Sequence, residues 1–290
     1  MEIVLHIGAH CTDEDNLLRC MYRNRDALAE QKIIVAEPPR YRPAIRETMQ
    51  ALVGDVAPPE TQEALLDSII DEDDAARVIL SHESFLCVPG RALGEGMLYP
   101  MTSLKAARLR NLFSQHDVRF CIGLRDPATY IPAAFARTKQ PNFQDFLAGC
   151  DPMALRWSDM IARLRRAAPD APVTVWCNED TPMMWPHILQ AIVQPPQDFA
   201  FEGVNDFLGT IMGRGGLSRL QAYLEGHPPK TEDQRQRIVA AFLDKFGADA
   251  MEEEIDLPGW TAPYVAQMTE LYERDLEALD AMPGVTFLKP

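Results

Sequence analysis

The chain has no long apolar run. Its longest uncharged stretch, Thr181 to Gln197, is broken by Pro182, Pro186, His187, Pro195 and Pro196, which excludes a bilayer-spanning helix. Basic residues are scarce: 28 Lys and Arg stand against 43 Asp and Glu, a net charge of −15. So acidic a chain repels polyphosphates and anionic bilayers, and neither nucleic acid nor a membrane is an expected partner. Residues Met1 to His6 lead straight into an apolar segment without a basic stretch or a small-residue cleavage site, so a cytoplasmic protein without a secretion signal is expected. No CxxC pair occurs among Cys11, Cys20, Cys87, Cys121, Cys150 and Cys177, and their apolar surroundings predict free buried thiols in a reducing compartment. Internal repeats and low-complexity tracts are also lacking.

Hydrophobic residues are plentiful, at 47% of 290, enough for a full core. A single domain over residues 1–290 is expected, with a helical C-terminal part from about 200 to 290. Short, almost wholly apolar runs read as buried strands at Ile3–Ile7, Lys32–Ala36, Arg77–Ser81, Val118–Leu124, Val173–Cys177 and Val285–Leu288. Between them, helical spacing predicts helices over 16–30, 42–53, 102–114, 128–139, 143–149, 152–168 and 182–193. Gly90 to Pro100 reads as a long loop, and further helices are expected over 216–224, 231–246 and 262–281. Strands alternating with helical crossovers imply an α/β fold, a parallel sheet covered on both faces. Ligands of such sheets sit at the carboxyl ends of the strands.

Three segments at those ends carry a resemblance. The first is His6-Ile-Gly-Ala-His-Cys-Thr-Asp-Glu-Asp-Asn-Leu17, between a first strand and a first helix. The second is Leu124-Arg-Asp-Pro-Ala-Thr-Tyr-Ile-Pro-Ala-Ala-Phe135, after the strongest strand, and the third is Leu80-Ser-His-Glu-Ser84. In order and spacing they resemble the GxxKTGTTSLQ, RxPxxRxxSxY and strand-end SSE segments of the bacterial sulfotransferase family, over at least residues 1–137. The resemblance implies a P-loop nucleotide-binding fold and a donor nucleotide, 3′-phosphoadenosine 5′-phosphosulfate (PAPS). It places Gly8 and Thr12 in the phosphate loop, Arg125 on the 3′-phosphate, and Glu83, with His82 beside it, as the base that takes the acceptor's proton.

The sequence departs from that pattern where phosphate chemistry is most demanding. A phosphate loop needs backbone N–H groups at a helix start, a lysine and small neighbours. Here Cys11 stands at the lysine position, Asp13 at the glycine, and Glu14 and Asp15 at the hydroxyl residues. Each carboxylate about 5 Å from a phosphate charge costs roughly 3 kcal/mol at an effective dielectric of 20. In the second segment Tyr130, Ala133 and Phe135 replace the family's second arginine, serine and tyrosine. The acids also suit a plain helix cap, with Thr12 and Asp15 spaced as in a capping box, and Arg125 beside Asp126 suits a structural ion pair. His6, His10 and Cys11 do not share one face as metal ligands on a helix would, so no metal is expected. Trp176 to Asp180 closes another strand with polar groups that line the same mouth or cap the next helix. Arg214-Gly215-Gly216 fits a helix start.

Three functions remain open on the residues. One is a divergent, non-catalytic sulfotransferase-like protein that binds a small molecule or a protein. Another is an active PAPS-dependent sulfotransferase with unusual donor contacts. The third is an acidic interaction module.

Overall fold

Three strands have the bounds expected from sequence, Arg77–Ser81, Val173–Cys177 and Val285–Leu288, in the computed structural model, which describes residues 1–248, 255 and 257–290. Residues 249–254 and 256, inside the expected C-terminal helical part, lie outside the described residues. The strands are β1 (Glu2–His6), β2 (Ile33–Val35), β3 (Arg77–Ser81), the short pair β4 (Leu93–Gly94) and β5 (Met97–Leu98), β6 (Asp117–Leu124), β7 (Val173–Cys177) and β8 (Val285–Leu288). Six of them form one sheet in the order β2-β3-β1-β6-β7-β8, every neighbouring pair parallel. This order differs from the dinucleotide-binding and flavodoxin-like arrangements of doubly wound sheets.

Alternation along β1 shows how both faces are filled. Ile3 and Leu5 enter one apolar cluster and Val4 the other, as expected for a strand buried on both sides. The larger cluster takes α3 (Pro38–Leu52), α4 (Pro59–Ile69), α5 (Thr102–Leu112), α6 (Pro127–Ala136), α7 (Phe143–Leu147) and α8 (Trp157–Ala167). The second face is covered by α1 (Asn16–Arg23), α2 (Arg25–Ala29) and α9 (Thr181–Val193). Helices α10 (Asp206–Gly226) and α11 (Glu232–Phe246) share a smaller cluster, while α12 (Ala262–Asp280) returns to the first face. No helix among the described residues is long and apolar enough to cross a membrane.

The elements depart from the sequence expectation where local chemistry outweighs periodicity. The helix expected over 16–30 breaks at Asn24, whose amide donates to the carbonyls of Cys20 and Glu202 and accepts from the Glu202 N–H. Helix α3 begins four residues early because Pro38 and Pro39 sit in its first turn, where a missing N–H costs nothing. The same device starts α4, which the sequence reading passed over. The expected loop over 90–100 holds the β4–β5 hairpin. Only a single 3-10 turn, Pro152–Ala154, forms before α8. Helix α10 starts ten residues before the expected Gly216 and kinks at Gly213, whose φ of 66° leaves the helical region.

A buried carboxylate of helix α12 holds the start of α8. Asp275 is buried and accepts hydrogen bonds from the N–H groups of Trp157 (2.7 Å) and Ser158 (3.1 Å) and from the Ser158 hydroxyl. It caps α8 from 117 residues away, a role no residue beside that helix start performs. Asp275→Ala leaves two buried donors unsatisfied and removes a negative charge from a helix N-terminus. Urea unfolding should show a loss of about 2–4 kcal/mol, and Asp275→Asn, which keeps an acceptor, should lose less.

Candidate functional site

The register of β1 with its neighbours sets the site. His6 lies abreast of Ser81 on one side and Cys121 on the other, so the segments that follow β1, β3 and β6 leave the sheet together. Sheet-like pairing continues beyond β1: Ile7 and Ala9 donate to the carbonyls of Cys121 and Gly123, and the Gly123 N–H donates to Gly8. Gly8 has φ +108°, and a Cβ there would lie 3.3 Å from the Glu83 Cα, so a side chain is excluded by both backbone and neighbour. The site residues expected from sequence, Gly8, Thr12, His82, Glu83 and Arg125, all belong to these converging segments.

The loop between β1 and α1 uses its own groups to satisfy itself. The His10 N–H donates to the Tyr99 hydroxyl (3.0 Å), and that hydroxyl lies 2.6 Å from His10 Nδ1 and 3.0 Å from the Tyr130 hydroxyl. The Thr12 hydroxyl donates back to the Ala9 carbonyl. Arg125, buried, donates to the Cys11 carbonyl at 2.6 Å and to the Thr129 hydroxyl at 3.0 Å. At the start of α1 the buried Asp13 carboxylate accepts the Leu17 N–H at 3.0 Å, and the Asp13 carbonyl accepts that of Asn16. The capping box expected from Thr12 and Asp15 is therefore not the device used. Asp15, at the cap position with φ 61°, makes no side-chain cap, and Asp13 supplies the acceptor.

The loop's acids are matched by arginines from elsewhere. Arg137, just past α6, grips both oxygens of Glu83 at 2.6 and 2.7 Å and reaches Glu14 at 3.5 Å. Arg42 in α3 lies 3.5 Å from Asp15 and donates to the Ser81 carbonyl. The pairs to Glu14 and Asp15 are long and half exposed, each worth less than about 1 kcal/mol. They nevertheless lower the local negative potential, so counting three bare carboxylates overstates the repulsion. Sequence reasoning passed over Arg137 and Arg42. Their signal was the basic residue in the turn after each strand's following helix or at its start, which local patterns do not connect to a loop tens of residues away.

The expected base is thus an ion-pair partner. Both Glu83 oxygens are engaged by Arg137. His82 is partly buried beside it, with Nδ1 unpartnered among the described residues, and burial followed by the charge of Arg42 holds its pKa down to about 4. Burial likewise lowers His10 to about 4 and pushes the Cys11 thiol and the Asp13 carboxyl up. His6, which donates to or accepts from Ser81 Oγ at 2.8 Å, and His10, bound to Tyr99, serve as internal partners. Among the described residues no group of three His, Cys, Asp or Glu side chains is placed to hold a metal ion. Asp126, the neighbour of Arg125, caps α6 through the Ala128 N–H and accepts the Thr269 hydroxyl. All six cysteines are free thiols.

A phosphosulfate nucleotide does not fit these groups. The loop carries no lysine, the Leu17 N–H already has a carboxylate acceptor, and Arg125 points a donor at the loop's own backbone.

Two depressed imidazoles carry a pH signature. A histidine whose folded pKa lies below its usual 6.5 favours the fold above that value and disfavours it as pH falls toward 4. At pH 5 the His10 shift alone corresponds to about 2 kcal/mol of lost stability, offset in part by Asp13, whose raised carboxyl pKa acts with the opposite sign. Urea unfolding at pH 7 and pH 5 should therefore show a less stable protein at pH 5, with the His10 and His82 ring signals in NMR still those of neutral imidazole. Imidazoles titrating near 6.5 would contradict the burial account.

No family model, no curated protein and no solved structure matches this chain.

Proposed function

We propose that this chain is a divergent, non-catalytic member of the sulfotransferase-like group, keeping a P-loop-type scaffold while its donor loop is closed by the chain's own side chains. The protein acts by binding and not by transferring a sulfuryl group. The order of the three resembling segments supports the scaffold, since they meet at the carboxyl edge of a parallel sheet, where ligands of such sheets bind. The position of β1 adds to this: after it the chain builds β2 and β3 on one side, and only then crosses to β6 on the other.

One observation carries the non-catalytic part, the Asp13 carboxylate on the Leu17 N–H in the first turn of α1. A helix N-terminus is where a phosphate would take backbone donors, and here a buried acid of the protein takes that place. The catalytic alternative asks Glu83 to act as a base, and its engagement by Arg137 on both oxygens speaks against that.

Titration calorimetry of the full chain with adenosine 3′,5′-bisphosphate tests the reading. No saturable heat is expected below about 1 mM. Micromolar binding that Arg125→Ala abolishes would overturn the closed loop and restore the active-transferase alternative.

A further inference from the structure

A cavity of about 230 Å³ opens beside the carboxyl end of β3, between α3 and α5. Its polar lining runs against the composition of the chain. Arg42, Arg46, Lys105 and His82 face it and no Asp or Glu does, although acids outnumber bases 43 to 28. The nearest acids sit outside the lining: Asp15 at 3.5 Å from Arg42 and Glu47 at 3.7 Å from Arg46. Met49 and Phe85, both buried, supply an apolar wall.

Two polar atoms among these residues have nothing to bond. Arg42 Nε and His82 Nδ1 are buried and neither has a hydrogen-bond partner among the described residues. Buried nitrogens without a partner are rare in folded proteins, and these two, on residues that line the cavity, are sealed behind its wall and do not open into it. It is the charges of Arg42, Arg46 and Lys105, with no acid among the lining residues, that favour an anion in the cavity.

The geometry points to this cavity as a binding site for a compact organic oxyanion, a carboxylate or a phosphate monoester carrying a short apolar body. The head group lies among the charges of Arg42, Arg46 and Lys105, and the body lies on Met49 and Phe85. The volume is below the 300–1,000 Å³ usual for drug-sized ligands and matches a small metabolite. The cavity adjoins the loop that caps α1, sharing Arg42 through its pair with Asp15 and Ser84 through its contact with His10, but its lining includes no residue of that loop.

Calorimetry of the full chain with butyrate, butyl phosphate, inorganic phosphate and butylamine distinguishes the outcomes. Saturable binding of butyrate or butyl phosphate is expected, tighter than inorganic phosphate, weakening as sodium chloride is raised, with no binding of butylamine. Butyrate against butyl phosphate identifies the head group. Arg46→Gln and Lys105→Gln, both at the accessible rim, should each weaken binding about tenfold while leaving thermal unfolding of the free protein unchanged. The proposal is overturned if neither organic anion saturates, if butylamine binds as well as they do, or if both variants bind like the parent chain. The nucleotide titration of the closed loop is a separate measurement, so failure of either reading leaves the other standing.

Discussion

Everything at the carboxyl edge depends on β1 being hydrogen-bonded on both sides. With β3 on one flank and β6 on the other, in matched parallel register, the strand cannot slip by one residue without sending Ile3 and Leu5 to the wrong face. That constraint aligns His6 with Ser81 and Cys121, and the extension of pairing to Ala9 carries the alignment into the loop. At the opposite edge the same register sets Glu2 beside Arg77, where it also pairs with Arg119.

Below the loop, the stronger bonds are buried and mostly neutral. Tyr130, Tyr99 and His10 form a hydroxyl and imidazole column, the Trp157 indole donates to the Arg125 carbonyl, and Arg125 donates in turn to Cys11. Low dielectric strengthens such bonds and makes each expensive to break singly. The ion pairs at the rim are longer or more exposed, apart from the two-pronged contact of Arg137 with Glu83. Loop conformation is therefore set from the core, with the rim charges adjusting potential more than shape.

Much of this was legible in the residues. Apolar runs gave strands to within a residue or two because strands buried on both faces have little freedom in composition. The starts of α3 and α4 were not legible, since the prolines in their first turns occur equally in loops and only context marks them as helix openings. Gly8, Thr12, His82, Glu83 and Arg125 could be placed at one edge from sequence because each follows a strand end. Tyr99, Arg42 and Arg137 were missed because their contacts span 89, 39 and 54 residues, and a local pattern carries no trace of such pairings. The contacts add what spacing could not: Glu83, read as a base, is held by Arg137, and Asp13, read as repulsion toward phosphate, accepts the Leu17 N–H.

The Asp13 cap also bears on how the loop answers its surroundings. A group attached to the same chain four residues from the donor it meets acts at an effective concentration far above that of any dissolved anion. Fluctuations in free phosphate or sulfate cannot displace it by mass action. The start of α1 is thus buffered against the solutes that helix N-termini commonly collect, and its conformation is indifferent to them.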